Sequence, residues 1–175
     1  MPRERHRLHR KAVCLLLGVV LMSTPTLLRS AQETARLCAA AMWATDLASQ
    51  GLGIEILAVG PGTATLAMTL TERMTNGHGS AHGGFIFALA DSAFAFACNT
   101  YDERTVAAHC SITFLRPGTC GGRLVAVARE VARLGRSGIY DVAVTQDDVV
   151  IAQFRGHSRT IGGAVIAPPA GAPEE

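Results

Sequence analysis

The stretch NGHGSAHGGFIFALADSAFAFACN, residues 76–99, joins a glycine-rich loop to a segment that is apolar at almost every position. From Phe85 to Cys98 the only polar residues are Asp91 and Ser92. We predict a helix here, and a helix that is apolar nearly all round must be buried on nearly all sides. In a chain of 175 residues, only a sheet that curls around the helix can bury it in this way.

The segments on either side of this helix are expected to supply the sheet. Strand-like runs are separated by turn sequences rich in glycine, proline or aspartate, and they cover residues 53–60, 62–74, 105–116, 122–133, 138–146 and 149–160. A further helix is predicted from Ala31 to about Gln50, where the composition favours helix. The order helix, two strands, helix, four strands is typical of an α+β fold with one mostly antiparallel sheet.

Composition narrows the class of protein without naming one. The length suits a single domain, and 49% hydrophobic residues, 17% charged residues and a net charge of +2 are a globular balance. The basic excess that is usual in nucleic-acid-binding proteins is missing. Five cysteines without a C-x-x-C pair indicate neither a disulfide framework nor a structural zinc site, and they favour a reducing compartment.

Asp91 is the residue that most needs an explanation. A carboxylate in an apolar helix costs several kcal/mol unless it is paired or hydrogen-bonded. The structural alternative is an ion pair with an arginine such as Arg116 or Arg155. The functional alternative is that Asp91 takes part in a reaction, since perturbed carboxylates concentrate at functional sites.

The loop before the helix favours the functional alternative. Gly83 and Gly84 fall where the helix begins, so their N–H groups lie at the positive end of the helix dipole and can stabilise charge on a carbonyl oxygen. Asp91 follows Gly83 by eight residues, or roughly 12 Å of helical rise. Because a reacting carbon should lie about 3 Å from both the nucleophile and the oxyanion donors, we predict a site that two subunits share.

Other polar residues of this stretch have both structural and functional interpretations. Asn76 and His82 could bind a carbonyl or a water, or they could form the turn and cap the helix. His78 and His82 have the spacing of metal ligands on a helix, but the glycines around them indicate a loop, and we expect no metal. Cys98 shares a helix face with Asp91, but buried free cysteines are usually inert.

The pattern N-G-H-x-x-x-H-G-G-x-x-F-x-L-A-D-x-A-F-A-x-A-C-N resembles the PaaI-type, phenylacetate-degradation acyl-CoA thioesterases of the hotdog fold. The resemblance continues through SITFLRPG (111–118) and FRGHSRTIGG (154–163). It implies a long central helix wrapped by a curved antiparallel sheet. It also implies a double-hotdog dimer, commonly a homotetramer of two such dimers, with sites at the dimer interface.

The resemblance also implies roles for individual residues. Asp91 would be the general base or the nucleophile, Gly83 would donate its N–H to the thioester carbonyl, and Asn76 would orient that carbonyl or the attacking water. His82 would shape the loop, and Gly84 would belong to the substrate-binding backbone. Ala107 and Ala108 stand where some relatives place a hydroxyl, so this auxiliary group is either missing or supplied by Ser111.

The implied activity is hydrolysis of acyl-CoA thioesters to free acid and CoA, with phenylacetyl, hydroxyphenylacetyl or medium-chain acyl groups. No cofactor is expected, because coenzyme A is part of the substrate. Arginines beside turns could bind the coenzyme A phosphates, and they are Arg116, Arg136, Arg155 and Arg159. Two other functions fit the fold: a non-catalytic acyl-CoA sensor, which needs no acid at the thioester, and an enoyl-CoA hydratase, which needs a differently placed histidine.

The first thirty residues form an N-terminal extension ahead of the predicted domain, residues 31–163. MPRERHRLHRK followed by AVCLLLGVVLM is similar to a secretory signal, and the apolar run is too short to span a bilayer. We favour translation from Met22 and a cytoplasmic location, because the implied substrate is a cytosolic metabolite and no clean A-x-A cleavage site follows. Residues 164–175 are expected to form a flexible tail.

Overall fold

The computed structural model describes residues 29–166. The signal-like segment, the alternative start at Met22 and the last part of the tail lie outside the described residues. Within residues 29–166, no helix is both long enough and apolar enough to span a bilayer.

The order of elements matches the predicted α+β pattern. The described part of the chain contains three α-helices and six strands, in the order α1 Ala31–Trp43, α2 Leu47–Gly51, β1 Glu55–Gly60, β2 Thr63–Thr69, α3 Gly83–Cys98, β3 Thr105–Phe114, β4 Arg123–Leu134, β5 Ser137–Gln146 and β6 Val149–Thr160. A single 3-10 turn, Glu72–Met74, lies between β2 and the glycine-rich loop.

The N-terminal helix differs from the expectation, because it is two helices rather than one. α1 begins after Ser30, whose side chain accepts a hydrogen bond from Glu33 N–H at 3.1 Å. The break falls before Asp46, which leaves the helical conformation and accepts from Ser49 N–H at 2.9 Å. Aspartate competes for backbone N–H groups and is favoured at helix N-termini, so Asp46 starts a second helix instead of continuing the first.

All six strands form one antiparallel sheet in the order β1-β2-β4-β5-β6-β3. β2 alternates only in part: Thr63 and Thr69 are exposed and Leu66 and Met68 are buried, but Ala67 between them is buried as well. β3 pairs with β6 on one side only and is therefore an edge strand of the described chain. An unpaired edge of ten residues is a surface to which another strand can add.

α3 packs against all six strands of this sheet. Leu89, Ala93 and Phe94 are fully buried, and the ring of Phe94 occupies the space where a side chain at Gly156 on β6 would lie. One side of the helix is only partly covered, in a stripe that we call the open face of α3: Gly84, Phe87, Ala88, Asp91 and Ala95. Burial on nearly all sides is thus achieved only in part by the chain's own sheet.

The part of the predicted tail that the structure describes, residues 164–166, contacts the domain through two backbone groups. The N–H groups of Val165 and Ile166 donate to Asp102 Oδ1 at 2.9 and 2.8 Å. Two hydrogen bonds to one carboxylate anchor the chain there. The Gly/Pro composition of the whole tail concealed this local contact.

Candidate active site

The start of α3 is held by its own cap. His82 is the N-cap residue, and its Nδ1 accepts a hydrogen bond from Gly84 N–H at 3.0 Å. The capping interpretation of His82 is therefore confirmed. Gly83 N–H donates to no acceptor in residues 29–166, which leaves it available to a carbonyl oxygen.

The loop before α3 is built around the side chain of Asn76. Its Oδ1 accepts from His78 N–H at 2.9 Å, from Ser80 N–H at 3.3 Å and from the Ser80 hydroxyl at 3.2 Å. Asparagine commonly closes turns in this way. Asn76 thus has the turn-forming role, and it also lines the groove described next.

A groove of about 490 Å³ runs along the N-terminal end of α3. Among its lining residues, only Asn76 and Arg116 have polar side chains; the others are Ala81, Gly83, Ile86, Phe114, Leu115 and Pro117. The structure therefore brings together three of the predicted residues, Asn76, Gly83 and Arg116. A larger groove of about 560 Å³, near the C-terminal end of α3 and lined by Asn99 and Arg104 among others, contains none of them.

Asp91 lies in the middle of α3, half-buried and on the open face of the helix. Neither arginine that could have paired with it does so. Arg155 forms a two-pronged ion pair with Asp141 at 2.6 and 2.7 Å, and Arg116 donates to the Val150 carbonyl at 2.9 Å. The structural interpretation of Asp91 as an ion-pair member is therefore wrong for the described chain.

Burial raises the pKa of the Asp91 carboxyl, and a hydrogen bond from Cys110 partly opposes that shift. Water solvates the carboxylate less well at this position than at the surface, so the charged form is disfavoured. A carboxyl group whose pKa is raised, and which has no cation beside it in residues 29–166, is better suited to accept a proton than an ordinary aspartate.

Asp91 does not line the groove that contains Gly83. The two residues belong to the same helix and are separated by two turns, as the spacing predicts. In one chain, the acid and the unpartnered N–H therefore lie apart, as two candidate half-sites.

Cys110 is a neighbour of Asp91 that sequence reasoning missed. Its Sγ lies 3.8 Å from Asp91 Oδ1, and burial together with the charge of Asp91 raises the pKa of the thiol to about 11. Cys98 is buried, and burial raises the pKa of its thiol to about 12. Both thiols are therefore protonated at neutral pH, and Cys98 has the inert character expected of it.

Ser111 does not face Asp91 in the described chain. Successive residues of a strand point to opposite faces, and Cys110 points towards α3. Ser111 lies on the outer face, opposite Arg155 in the neighbouring strand and beside Asp141. The thiol of Cys110, rather than a hydroxyl, is the group that β3 presents to Asp91.

The other three arginines that were predicted to bind phosphate do not line this groove. Arg136 donates its Nε–H to the Thr160 carbonyl at 2.8 Å, Arg155 pairs with Asp141 on the outer face, and Arg159 borders a depression near the β4–β5 turn. In residues 29–166, no three His, Cys, Asp or Glu side chains come together as a metal site.

Comparison with known proteins identifies the family to which the chain belongs. The model of the thioesterase superfamily matches residues 78–152. The acyl-coenzyme A thioesterase PaaI of Escherichia coli is 44% identical over 126 residues, which cover 71% of this chain and 90% of that protein.

Solved structures resemble the described fold closely. The E. coli PaaI protein from the phenylacetic acid degradation operon is 42% identical with a TM-score of 0.76, over 77% of this chain and 99% of the other. A substituted form of the phenylacetic acid degradation protein PaaI from Thermus thermophilus is 38% identical with a TM-score of 0.63, over 65% of this chain and 97% of the other. The chain therefore belongs to the thioesterase superfamily, as a PaaI-type member with the hotdog fold.

Proposed function

We propose that this chain hydrolyses acyl-CoA thioesters to a free acid and coenzyme A, with Asp91 acting on a carbonyl that Gly83 polarises. The observation that carries the proposal is Asp91 itself, a half-buried acid without a cationic partner in the described residues. Burying an unpaired carboxylate lowers the stability of the fold. A role in catalysis would explain why the chain contains one here. The curated E. coli relative, at 44% identity, is named as an acyl-CoA thioesterase.

Two routes use the same residues. As a general base, Asp91 takes a proton from water while the water oxygen attacks the thioester carbon, and the oxyanion accepts a hydrogen bond from Gly83 N–H. The tetrahedral intermediate then expels the thiolate of coenzyme A, which is protonated. As a nucleophile, Asp91 forms an anhydride as the thiolate leaves, and water hydrolyses that anhydride. Both routes need the ionised carboxylate.

The site requires two subunits in this proposal. Asp91 of one subunit would face Gly83 of its partner, which removes the separation of the two half-sites within one chain. The open face of α3 and the unpaired edge of β3 support such a dimer, because both leave surface that a second copy can cover. A homodimer, or a homotetramer of two dimers, is the assembly that we propose.

The groove suggests which parts of the substrate bind where. Its walls of Ile86, Phe114 and Leu115 suit an apolar chain, and Arg116 at its edge suits a phosphate. We propose phenylacetyl, hydroxyphenylacetyl or medium-chain acyl groups, since the E. coli structural relative comes from the phenylacetic acid degradation operon. Asn76 would orient the carbonyl or the attacking water. Coenzyme A enters as part of the substrate, without a further cofactor, and a cytoplasmic location would give access to it.

Release of free thiol from a panel of acyl-CoA substrates tests the proposal. Phenylacetyl-, hydroxyphenylacetyl-, octanoyl- and acetyl-CoA would be compared for the wild type, Asp91→Asn and the control Glu55→Gln, an exposed acid on β1. We expect Asp91→Asn to lose at least about 10²-fold in kcat, the lower end for removal of a general base, while the control keeps wild-type rates. Equal rates for the wild type and Asp91→Asn would refute the assignment.

The two routes are separated by a single turnover in ¹⁸O-labelled water. Incorporation of the label into the Asp91 carboxyl requires the anhydride, with water attacking its aspartyl carbon, whereas label found only in the product acid is expected both of general-base attack and of an anhydride hydrolysed at its acyl carbon. The label is located by mass spectrometry of the peptide that contains Asp91.

A further inference from the structure

The reaction proposed above does not use Cys110, the residue of β3 that contacts Asp91 in the middle of α3. Cys110 Sγ lies 3.8 Å from Asp91 Oδ1, within the range of a hydrogen bond from sulfur. In residues 29–166, no other side chain donates to Asp91. The thiol comes from an edge strand and meets the acid on the side of α3 that the sheet covers least.

We propose that Cys110 is a positioning residue, whose thiol donates to Asp91 Oδ1, fixes the orientation of the carboxylate and favours its ionised form. The proposal rests on the role of Asp91 put forward above. A hydrogen bond to one oxygen restricts rotation of the carboxylate and leaves the second oxygen, Oδ2, free for the water or the thioester carbon. Such restriction supports catalysis, since the reacting groups must be held in a near-attack arrangement.

A thiol suits this position better than a cation does. An arginine beside Asp91 would stabilise the carboxylate strongly and weaken it as a base, whereas a thiol is a weak, neutral donor. Because the pKa of Cys110 is about 11, its proton is in place at neutral pH. The titratable groups that interact with Asp91 in the described chain are Cys110 from β3 and Cys98 from α3 itself, and both are neutral thiols at that pH.

The same pair of groups argues against Cys110 as the nucleophile. The charge of Asp91 opposes formation of a thiolate at Cys110, and burial opposes it further. The thiolate, not the thiol, is the attacking form. The contact therefore assists the carboxylate at the expense of thiol reactivity.

The pH dependence of kcat/KM for thiol release tests the proposal in variants that keep or remove the donor. Cys110→Ser keeps one, and Cys110→Ala removes it. Cys110→Val also removes the donor but keeps a side chain of similar volume and a preference for strands. Its pH profile tests the proposal if the alanine variant does not fold. Cys120→Ala, at an exposed cysteine, is the matched control.

We expect the donor-free variants to lose about two- to fivefold in kcat/KM on the acidic side of the profile, as one weak hydrogen bond implies. KM should stay close to wild type, and Cys110→Ser should restore the profile. A purely structural role would lower Tm without displacing the acidic limb, and an undisplaced limb in folded Cys110→Ala or Cys110→Val overturns the proposal.

A second measurement separates this inference from the proposed function. Titration of the Asp91 carboxyl by ¹³C NMR, assigned with Asp91→Asn, needs no substrate. We expect the titration to move to higher pH in the donor-free variants, because the donor favours the charged form. Failure of the wild type to cleave any thioester would refute the function. An identical titration with and without the thiol would refute the role of Cys110.

Discussion

The ring of Phe114 packs directly against the backbone of Gly83, so that a Cβ on residue 83 would lie 2.9 Å from Phe114 Cζ. Gly83 is the first residue of α3, where the N–H has no acceptor in residues 29–166. The aromatic ring from β3 and the first residue of α3 thus line the same groove.

Gly83→Pro and Gly83→Ala together isolate the contribution of the N–H group. Both substitutions add a Cβ that crowds Phe114, but only proline removes the donor. Proline is tolerated at the first position of a helix, and His82 has φ −69° and ψ 129°, which suits the residue before a proline. We expect kcat to be at least about 10²-fold lower for Gly83→Pro than for Gly83→Ala, as for loss of one oxyanion donor.

Steady-state kinetics on the best acyl-CoA substrate, with thermal melting of each variant, would measure this difference. The double variants with Phe114→Ala are the controls, because they relieve the crowding. The gap between proline and alanine should persist in that background. If the two Gly83 variants were equally active, Gly83 N–H would have no role in the reaction.

Asp91→Asn should be more stable than the wild type at neutral pH, although it is inactive. Burial raises the pKa of Asp91 in the folded chain above its unfolded value. Between the unfolded and the folded pKa of Asp91, the folded chain binds more protons than the unfolded chain, so the free energy of unfolding falls as pH rises. Above the folded pKa, the whole cost of burying the charged carboxylate remains. Asparagine carries no charge and escapes the penalty.

Thermal melting across a pH series checks this expectation. Tm of Asp91→Asn should exceed that of the wild type at neutral pH, and the two should converge as pH falls below the range of an ordinary aspartate. Glu55→Gln supplies the contrast, because Arg123 lowers the pKa of Glu55 and its removal should not raise Tm. A wild-type Tm above that of Asp91→Asn at neutral pH would contradict the assignment of a buried, unpaired acid.

The parts of the site that could be predicted from sequence are those that depend on neighbours along the chain. The glycine pair marks the start of α3, and Asp91 is conspicuous because the residues around it are apolar. Local composition is sufficient for both conclusions, since a helix start and an isolated charge are defined within a few turns. The strand ranges follow from local alternation for the same reason.

The parts that could not be predicted depend on pairing between distant segments. A bulge in β3 lies between Ala107 and His109, and an extra residue of this kind changes which side chains face the helix. Cys110 therefore faces Asp91, and Ser111 faces outwards. The ion pair of Arg155 likewise depends on Asp141, a cross-strand neighbour that the sequence does not place beside it.

Arg116 should contribute to binding of coenzyme A rather than to the chemical step. It is the one predicted phosphate-binding arginine that lines the groove with Gly83. Arg116→Gln should raise KM for an acyl-CoA by about tenfold, the size of one charge-assisted hydrogen bond, with little change in kcat.

Comparison with a truncated substrate makes the test of Arg116 specific. For an acyl-pantetheine thioester without phosphates, Arg116→Gln and the wild type should have the same KM. Arg123→Gln, an exposed arginine paired with Glu55, is the control and should match the wild type on both substrates. An equal rise in KM on both substrates would mean that Arg116 supports the groove instead of binding phosphate.

Mixed oligomers of two inactive variants decide whether the site is shared between subunits. Asp91→Asn subunits keep Gly83, and Gly83→Pro subunits keep Asp91. In a symmetric dimer with shared sites, each mixed dimer has one site made of two intact half-sites, so random mixing restores about a quarter of wild-type activity. The two proteins would be unfolded together, refolded and assayed by thiol release, with each variant refolded alone as the control.

Because Asp91 and Gly83 are two helical turns apart in one chain, a site within one subunit would leave every mixed dimer with two broken sites. Activity no higher than that of the separate variants, in a sample shown by mass spectrometry to contain mixed dimers, would place the reaction within a single subunit.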